Sequence, residues 1–490
     1  MEQHLRILIL FGSLSLAAAA PGRAQGEASV GLSIDRASPG VAIPADFVGL
    51  SFETASEPPD GNGVRGYFFD PSDQEAVTLF RELGLKSLRL GGGTVDRSRR
   101  RIPTPADIDH VFAFARAADV RVIYSFRLLN GSEQQAGDLA AYIWSHYRSQ
   151  LDCFAIGNEP DWHAYHTAPG HLQDPKIFET QPGVPGSAFP SFLDQWRRFA
   201  DAISRVCPGA KFEGPSAGSN YPVTGAKDTG YEGKAWTTCF ADAERNTGRL
   251  AYVAQHNYVG QDAPKRTPAE MIDLMLSPGW VTREYPALFQ AVNVPVRADG
   301  LGCRLMESNS FSGAVPKGSN AFATALWSLD YLHWWAAHGC AGINFHNKQW
   351  QENDTIYQDA ERHLQVYPMG YGIKAFSLSG GGKELPVTVT NADGVNLTAY
   401  AVRGPGGLIV TLINKEHGAG ARAARIALDH SGPRSVMYLR SAQGGAAATE
   451  GVTLGDAPIL NAGPWAGKWA PLPPGPVEVP ASSAAIVRLQ

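Results

Sequence analysis

Phe154-Ala155-Ile156-Gly157-Asn158-Glu159-Pro160 is a short apolar run that ends in a polar cluster carrying one carboxylate. It reads as a buried strand with Glu159 at its carboxyl end. Arg304-Leu305-Met306-Glu307-Ser308-Asn309 has the same form 148 residues further on. In a (β/α)8 barrel that end of the strands is where chemistry is done, and residues distant in sequence converge there. The reading of the fold therefore turns on how many such strands the chain holds.

Outward from these two, eight β-like runs follow in order: Phe47–Phe52, Ser87–Leu90, Arg121–Phe126, Cys153–Ile156, Lys211–Gly214, Tyr252–Gln255, Arg304–Met306 and Gly342–Phe345. Amphipathic stretches lie between them, among them Gln74–Leu83, Pro105–Ala118, Leu139–Tyr147, Phe192–Val206 and Asn320–His338. Strands alternating with helices imply a parallel sheet, and eight units imply a closed α/β barrel. In the last helix Phe322, Leu326, Leu329 and Leu332 recur at three- and four-residue steps, a stripe expected to face the core. Trp334 and Trp335 read as packing residues of that helix, and Gly339 as its left-handed stop.

After Ile373 the helical period gives way to short runs: Val387–Val389, Val395–Val402, Leu408–Asn414, Ala424–Leu428, Ser435–Arg440 and Ala484–Leu489. Gly, Pro and Asp punctuate them as in an antiparallel β-sandwich. Val30–Ile34 also alternates and is expected to pair into that sheet. The expected organisation is a leader over 1–25, an N-terminal strand segment over 26–45, a (β/α)8 TIM barrel over 46–372 and an accessory antiparallel β-sandwich over 373–490.

The 490 residues carry a formal charge of −5, which gives no basic footprint for nucleic acid. Arg6, the apolar run Ile7 to Ala20 and the small residues beyond read as an export signal, so the mature chain is expected in the periplasm or outside the cell. No later segment is long and apolar enough to span a bilayer. Of the five cysteines, Cys303 and Cys340 open adjacent strands and are the pair best placed for a bridge, with buried free thiols as the alternative. His163, His166 and His171 share one loop without the H-E-x-x-H form, and no ligand spacing calls for a metal. Asn130, Asn353 and Asn396 open formal glycosylation sequons.

The strand ends supply the chemistry. Two carboxylates at strands four and seven suit cleavage of a glycosidic bond, Glu159 as acid and base and Glu307 as nucleophile. The acid must hold its proton near neutral pH while the nucleophile stays ionised, which burial and neighbouring charge can arrange. Asn158 is placed to hydrogen-bond the sugar hydroxyl beside the anomeric carbon. Strand one ends in Gly49-Leu50-Ser51-Phe52-Glu53, where Glu53 can accept from sugar hydroxyls. Strand two ends in Arg89-Leu90-Gly91-Gly92-Gly93-Thr94, whose glycines permit close backbone approach. Strand six ends in Gln255-His256-Asn257-Tyr258, with Tyr258 expected to hydrogen-bond Glu307. Strand eight ends in His346-Asn347-Lys348, which brings cationic groups to the same rim.

With these motifs the chain resembles glycoside hydrolase family 79, which includes bacterial β-glucuronidases and mammalian heparanase. The resemblance rests on Gly49-Leu50-Ser51-Phe52-Glu53, Leu90-Gly91-Gly92-Gly93-Thr94, Gly157-Asn158-Glu159-Pro160, His256-Asn257-Tyr258 and Glu307-Ser308-Asn309-Ser310. It implies a barrel with a sandwich built from both chain ends, a retaining mechanism without metal or organic cofactor, and a carbohydrate substrate. It further implies Glu159 as acid/base, Glu307 as nucleophile, Asn158 and Glu53 as sugar contacts and Tyr258 beside the nucleophile. His256, Phe311, Asn347 and Lys348 complete the expected substrate-binding set. In one respect the chain departs from the family: Phe311 stands about where members carry a tyrosine that helps bind the uronic carboxylate. The ring is kept and the donor lost. Terminal β-glucuronide hydrolysis is the expected activity. A neutral β-glycoside or endo action is the alternative, and a non-catalytic glycan-binding protein a further one.

Overall fold

The computed structural model describes residues 28–59, 66–97, 100–162, 188–218, 230–260, 263–348, 351–443 and 445–490. The expected leader and His163, His166 and His171 lie outside these residues. After β1 (Ala28–Ile34) and β2 (Val41–Ile43), eight parallel strands close a barrel. They are β3 (Val48–Glu53), β4 (Ser87–Gly91), β5 (Arg121–Phe126), β6 (Leu151–Ile156), β7 (Phe212–Ala217), β8 (Leu250–Gly260), β9 (Cys303–Phe311) and β10 (Gly342–Asn347), and β10 pairs back onto β3. Each contains most or all of one expected run. β8 and β9 continue well past theirs, because His256-Asn257 and Ser308-Asn309 look like loop polarity yet stay in the ladder.

Successive side chains of a strand face opposite ways. Ile123, Cys153, Ala155, Ala254 and Met306 point inward and fill the barrel with a small apolar layer. Their neighbours point out, where Phe154 and Phe212 pack ring on ring. The surrounding helices begin and end on local signals. In Pro105–Ala118, Pro105 opens the first turn and Asp107 accepts from the Thr104 backbone N–H at 2.7 Å. Asp119, in the left-handed region at φ 60°, ends it.

A hairpin, β11 (Ile356–Gln358) with β12 (Leu364–Val366), stands above the last barrel strand, and helix Pro368–Ser377 runs across the expected boundary at Ile373. Beyond it follow β13 (Gly382–Leu385), β14 (Val387–Thr390), β15 (Leu397–Gly404), β16 (Gly407–Asn414), β17 (Ala424–Leu428), β18 (Arg434–Ser441), β19 (Val452–Leu454), β20 (Ala470–Pro471), β21 (Val477–Val479) and β22 (Ser483–Leu489). One sheet has the order β14-β1-β17-β21; the other runs β19-β18-β22-β16-β15-β13-β2, with β20 on β18. Val30, Leu32, Val410, Ile426 and Val487 form the core between them. The N-terminal strand β1 lies parallel to β17 and antiparallel to β14, and β2 edges the larger sheet.

Two expectations are corrected. Helix Ala323–Ala337 does not bury a single stripe; every residue from Ala323 to Ala336 is buried. Its second face is covered by the sandwich, where Asp330 meets Lys415 at 2.6 Å and His333 meets Glu384 at 2.6 Å. Trp334 and Trp335 belong to this interior. Nor are Cys303 and Cys340 bridged. All five cysteines are free and buried, and the Cys340 thiol donates instead to the backbone carbonyls of Cys303 and Gly342, at 3.2 and 3.3 Å. Among the described residues no helix is long and apolar enough to cross a membrane. The Asn353 amide is buried, donating to the carbonyls of Phe311 and Gly313, which removes it as an acceptor for glycans.

Candidate active site

At the carboxyl ends of the barrel strands, side chains from β3, β4, β6, β8, β9 and β10 meet. Glu307 reaches this mouth through an irregularity. Met306 already faces the barrel interior, so a regular strand would turn Glu307 toward the helices. The register of β9 against both neighbours shifts here: Leu305 pairs Gln255 but Glu307 pairs His256, and Leu305 pairs Ile343 but Ser308 pairs Phe345. A bulge of this kind re-aims a side chain. Ser308 then resumes the outward direction, with its hydroxyl 3.2 Å from that of Tyr331 on the outer helix.

Glu307 is buried and held on both oxygens. Arg89 Nη1 donates to Oε2 at 2.6 Å, and the Tyr258 hydroxyl donates to Oε1 at 2.7 Å. His346 Nδ1 and His256 Nδ1 stand 3.8 and 3.9 Å from Oε2. Burial pushes the Glu307 carboxyl up, but His346, His256 and Arg89, with the Tyr258 hydroxyl, outweigh it and hold the group well below the usual carboxylate range.

Arg89 organises the floor. Besides Glu307 it donates to Ser51 Oγ at 3.0 Å and, through Nη2, to Asn158 Oδ1 at 2.7 Å. Its planar fork is what lets one cation orient both groups. Gly91 leaves the room: a Cβ there would lie 2.6 Å from the guanidinium carbon and 2.7 Å from Ser125 Oγ. Strand-end motifs alone give Arg89 no role. An arginine between Leu88 and Leu90, inside a buried strand, was the available signal.

Glu159 sits past the end of β6 with φ 47°. A left-handed conformation costs a non-glycine residue about 1–2 kcal/mol. Two backbone anchors hold the segment: Asp96 accepts the Asn158 N–H at 2.9 Å, and the Ser216 carbonyl accepts the Glu159 N–H at 3.0 Å. The other oxygen of Asp96 takes the N–H groups of Leu128 and Leu129 at 2.8 and 2.9 Å, tying three strand ends together. His256 Nδ1 lies 2.9 Å from Glu159 Oε1. Burial pulls the His256 ring down to about 4 against the attraction of Glu307, so it is neutral near neutral pH. One oxygen of Glu159, one of Glu307 and a nitrogen of His256 all lie within 4.8 Å of one another. Three such atoms could by spacing hold a cation, but Arg89 and Tyr258 already donate to Glu307.

Glu53 faces the same opening from β3. Its Oε2 accepts from the Thr94 N–H and hydroxyl at 2.7 and 2.6 Å, while Oε1 stands 3.6 Å from His346 Nε2. Burial raises the Glu53 carboxyl; the neighbouring His346, with the Thr94 hydrogen bond, outweighs that and lowers it. His346, lowered by burial, is raised on balance by Glu307 and Glu53, so it keeps its proton to higher pH than an ordinary histidine. It stands between the two carboxylates, 3.6 Å from Glu53 Oε1 and 3.8 Å from Glu307 Oε2.

Three residues of the expected set stand apart from this group. Asn347 follows the inward His346 and so points outward. Its Oδ1 accepts the N–H groups of Thr355 and Ile356 at 2.9 and 3.0 Å, and its Nδ2 donates to the Ile356 carbonyl at 3.0 Å. That amide fastens the loop after β10. The Phe311 ring is wholly buried against Gly260, where a Cβ would come within 2.1 Å of it. Lys348 is half-buried at the rim, its backbone N–H held by Asp354 Oδ1 at 2.6 Å.

The chain matches no family model and no curated protein. Among solved structures it is similar to a 4-O-α-L-rhamnosyl-β-D-glucuronidase from Fusarium oxysporum, at 15% identity and a TM-score of 0.68, over 94% of this chain and 100% of that one. It is also similar to a GH51 arabinofuranosidase from Xanthomonas axonopodis pv. citri, at 13% identity and a TM-score of 0.64, over 95% and 100% of the two chains. A bifunctional glucanase-xylanase from a metagenome library follows at 14% identity and a TM-score of 0.61, over 94% and 99%. The barrel with its appended β-sheets is thus a fold that this chain shares with glycoside hydrolases.

Proposed function

We propose that the chain is a retaining exo-β-glycosidase of glycoside hydrolase family 79, exported, and acting on terminal β-linked glucuronic acid or a related uronic acid. The observation that carries the mechanism is that one carboxyl oxygen of Glu159 lies within 4.8 Å of one of Glu307. Retention calls for carboxyl groups about 5–5.5 Å apart, and inversion for about 6.5–9.5 Å to admit a water.

The two groups divide the work by environment. Glu307, kept ionised by His346, Arg89 and Tyr258, attacks the anomeric carbon with a carboxylate oxygen. The glycosidic C–O bond breaks, and Glu159 passes its proton to the departing oxygen. In the second half Glu159, now a carboxylate, takes a proton from water. The water oxygen bonds to the anomeric carbon, and Glu307 leaves with its electron pair. His256, neutral near neutral pH, is joined to Glu159 Oε1 and orients that carboxyl. Asn158, turned by Arg89, offers its amide to the hydroxyl next to the reacting carbon.

The uronic-acid reading draws support from His346, whose proton the neighbouring carboxylates help to hold, and from Lys348 on the same rim. A neutral glycone is the second reading, favoured by Phe311, which brings no hydroxyl to the wall and is buried against Gly260. Turnover of aryl β-glucuronide against aryl β-glucoside, galactoside and xyloside tests the choice, and preference for a neutral sugar rejects the uronate. Proton NMR of the first-formed anomer tests the mechanism: the β-anomer is expected, and the α-anomer would overturn retention.

A further inference from the structure

We propose that Glu213, a buried carboxylate absent from the chemistry above, is a positioning residue that sets the acid/base Glu159 through Ser216. The inference rests on the reading of Glu159 as acid/base. Phe212 packs outward on Trp196, so the strand period turns Glu213 to the barrel interior, where it is fully buried. The strand is interrupted just beyond it. Pro215 pairs with Ala254 and Ala217 with Gln255, leaving Ser216 as the unpaired residue of a bulge. Ser216 has φ 56°, a left-handed conformation, and something must hold it there. Its hydroxyl donates to the two Glu213 oxygens, at 2.9 and 3.0 Å.

The bulge frees the Ser216 carbonyl from the ladder, and that carbonyl accepts the Glu159 N–H at 3.0 Å. Glu159 is itself left-handed at φ 47°. The linkage therefore runs from carboxyl to hydroxyl, through the bulged backbone, to the peptide that aims Glu159. A buried carboxyl is costly unless its hydrogen bonds are used, and burial pushes that of Glu213 up despite the nearby Arg89 charge. Packing alone would be served by an apolar residue.

The test is a leaving-group series, because acid assistance matters for poor leaving groups and little for good ones. On the aryl glycoside that the enzyme turns over best, Ser216→Ala and Glu213→Ala are expected to lose about 10-fold or more in kcat/KM with phenol as aglycone, and to stay within about twofold with 2,4-dinitrophenol. Glu213→Gln, which still accepts from the Ser216 hydroxyl, is expected to recover most of what Glu213→Ala loses. Equal losses on both aglycones, as misfolding would give, or no loss on either, would overturn the inference; Ser216→Ala keeps it testable if Glu213→Ala does not fold. Glu159→Gln in the same series separates the two claims. If it lacks the selective loss on phenol, the acid/base reading fails and this inference with it. If it has that loss and Ser216→Ala does not, only this inference fails.

Discussion

Arg89 and Glu307 form a buried ion pair 2.6 Å long at the centre of the barrel mouth, joining the second strand to the seventh. The same guanidinium reaches Asn158, so one side chain aligns Glu307, the proposed nucleophile, with the amide proposed to bind the sugar.

Replacing Arg89 is expected to act on rate and on pH together. Lysine cannot span Glu307, Asn158 and Ser51 at once, and Arg89→Lys should lose about 100-fold in kcat/KM. In Arg89→Ala the Glu307 carboxyl loses one of the groups that lower it, so its pKa climbs toward the ordinary value of 4.5 or above. The proposed mechanism needs this carboxylate ionised, so the acid limb of kcat/KM should move to higher pH; an unmoved limb would contradict the pairing. The depressed pKa also stabilises the fold at pH above 4.5, a contribution lost as pH falls through the lower folded value.

His256 has the opposite sign. In the unfolded chain it takes a proton near 6.5; in the fold it does so only near 4. Between these values the unfolded state binds the extra proton, so the histidine lowers stability as pH falls from about 6.5 to about 4. His256→Asn should flatten that part of the stability curve in urea titrations. NMR of the wild-type ring should find no titration of this histidine between about pH 5.5 and 8.

Gly218 is expected to be required for activity more than for folding. A Cβ there would sit 2.1 Å from the Trp162 ring and 2.7 Å from the Glu159 carboxyl carbon. Both contacts are to side chains and not to backbone. Gly218→Ala should therefore melt near the wild type yet lose about 10- to 100-fold in kcat. Unaltered kcat would mean that Glu159 does not occupy this position during turnover.

The junction between barrel and sandwich depends on Asp330 and Lys415. Asp330 also accepts the hydroxyls of Thr398 and Tyr400, at 2.6 and 2.7 Å. Lys415→Ala leaves a buried carboxylate without its cation and should cost about 3–5 kcal/mol in urea unfolding. The pair Asp330→Asn with Lys415→Met, which removes both charges, should be less harmful than the single change. A single substitution costing under about 0.5 kcal/mol would show that the pair is not what joins the two parts.

Much of this arrangement is legible without coordinates. Eight apolar runs and the helices between them follow from local burial patterns, and local patterns need no partner to be read. They put Glu159 and Glu307 on strands four and seven, and Glu53, Tyr258 and His256 on neighbouring strand ends. Direction was harder. His346 and Asn347 are adjacent, yet one faces the mouth and the other fastens a loop, a difference that the two-residue period decides once the inward register is known.

By itself, the amino-acid sequence determined the barrel, the strand-built second part and the strand ends at which the candidate site gathers, because each of these is written in hydrophobic period and turn residues within a short window. Only the tertiary structure decided that Arg89 is the partner of Glu307, that Phe311 is wall, that Cys303 and Cys340 stay apart, and that Glu213 lies beneath the site. Those outcomes depend on bulges at Ser216 and in β9 around Met306 and Glu307. A bulge is a mismatch between two paired strands, and neither strand carries it alone.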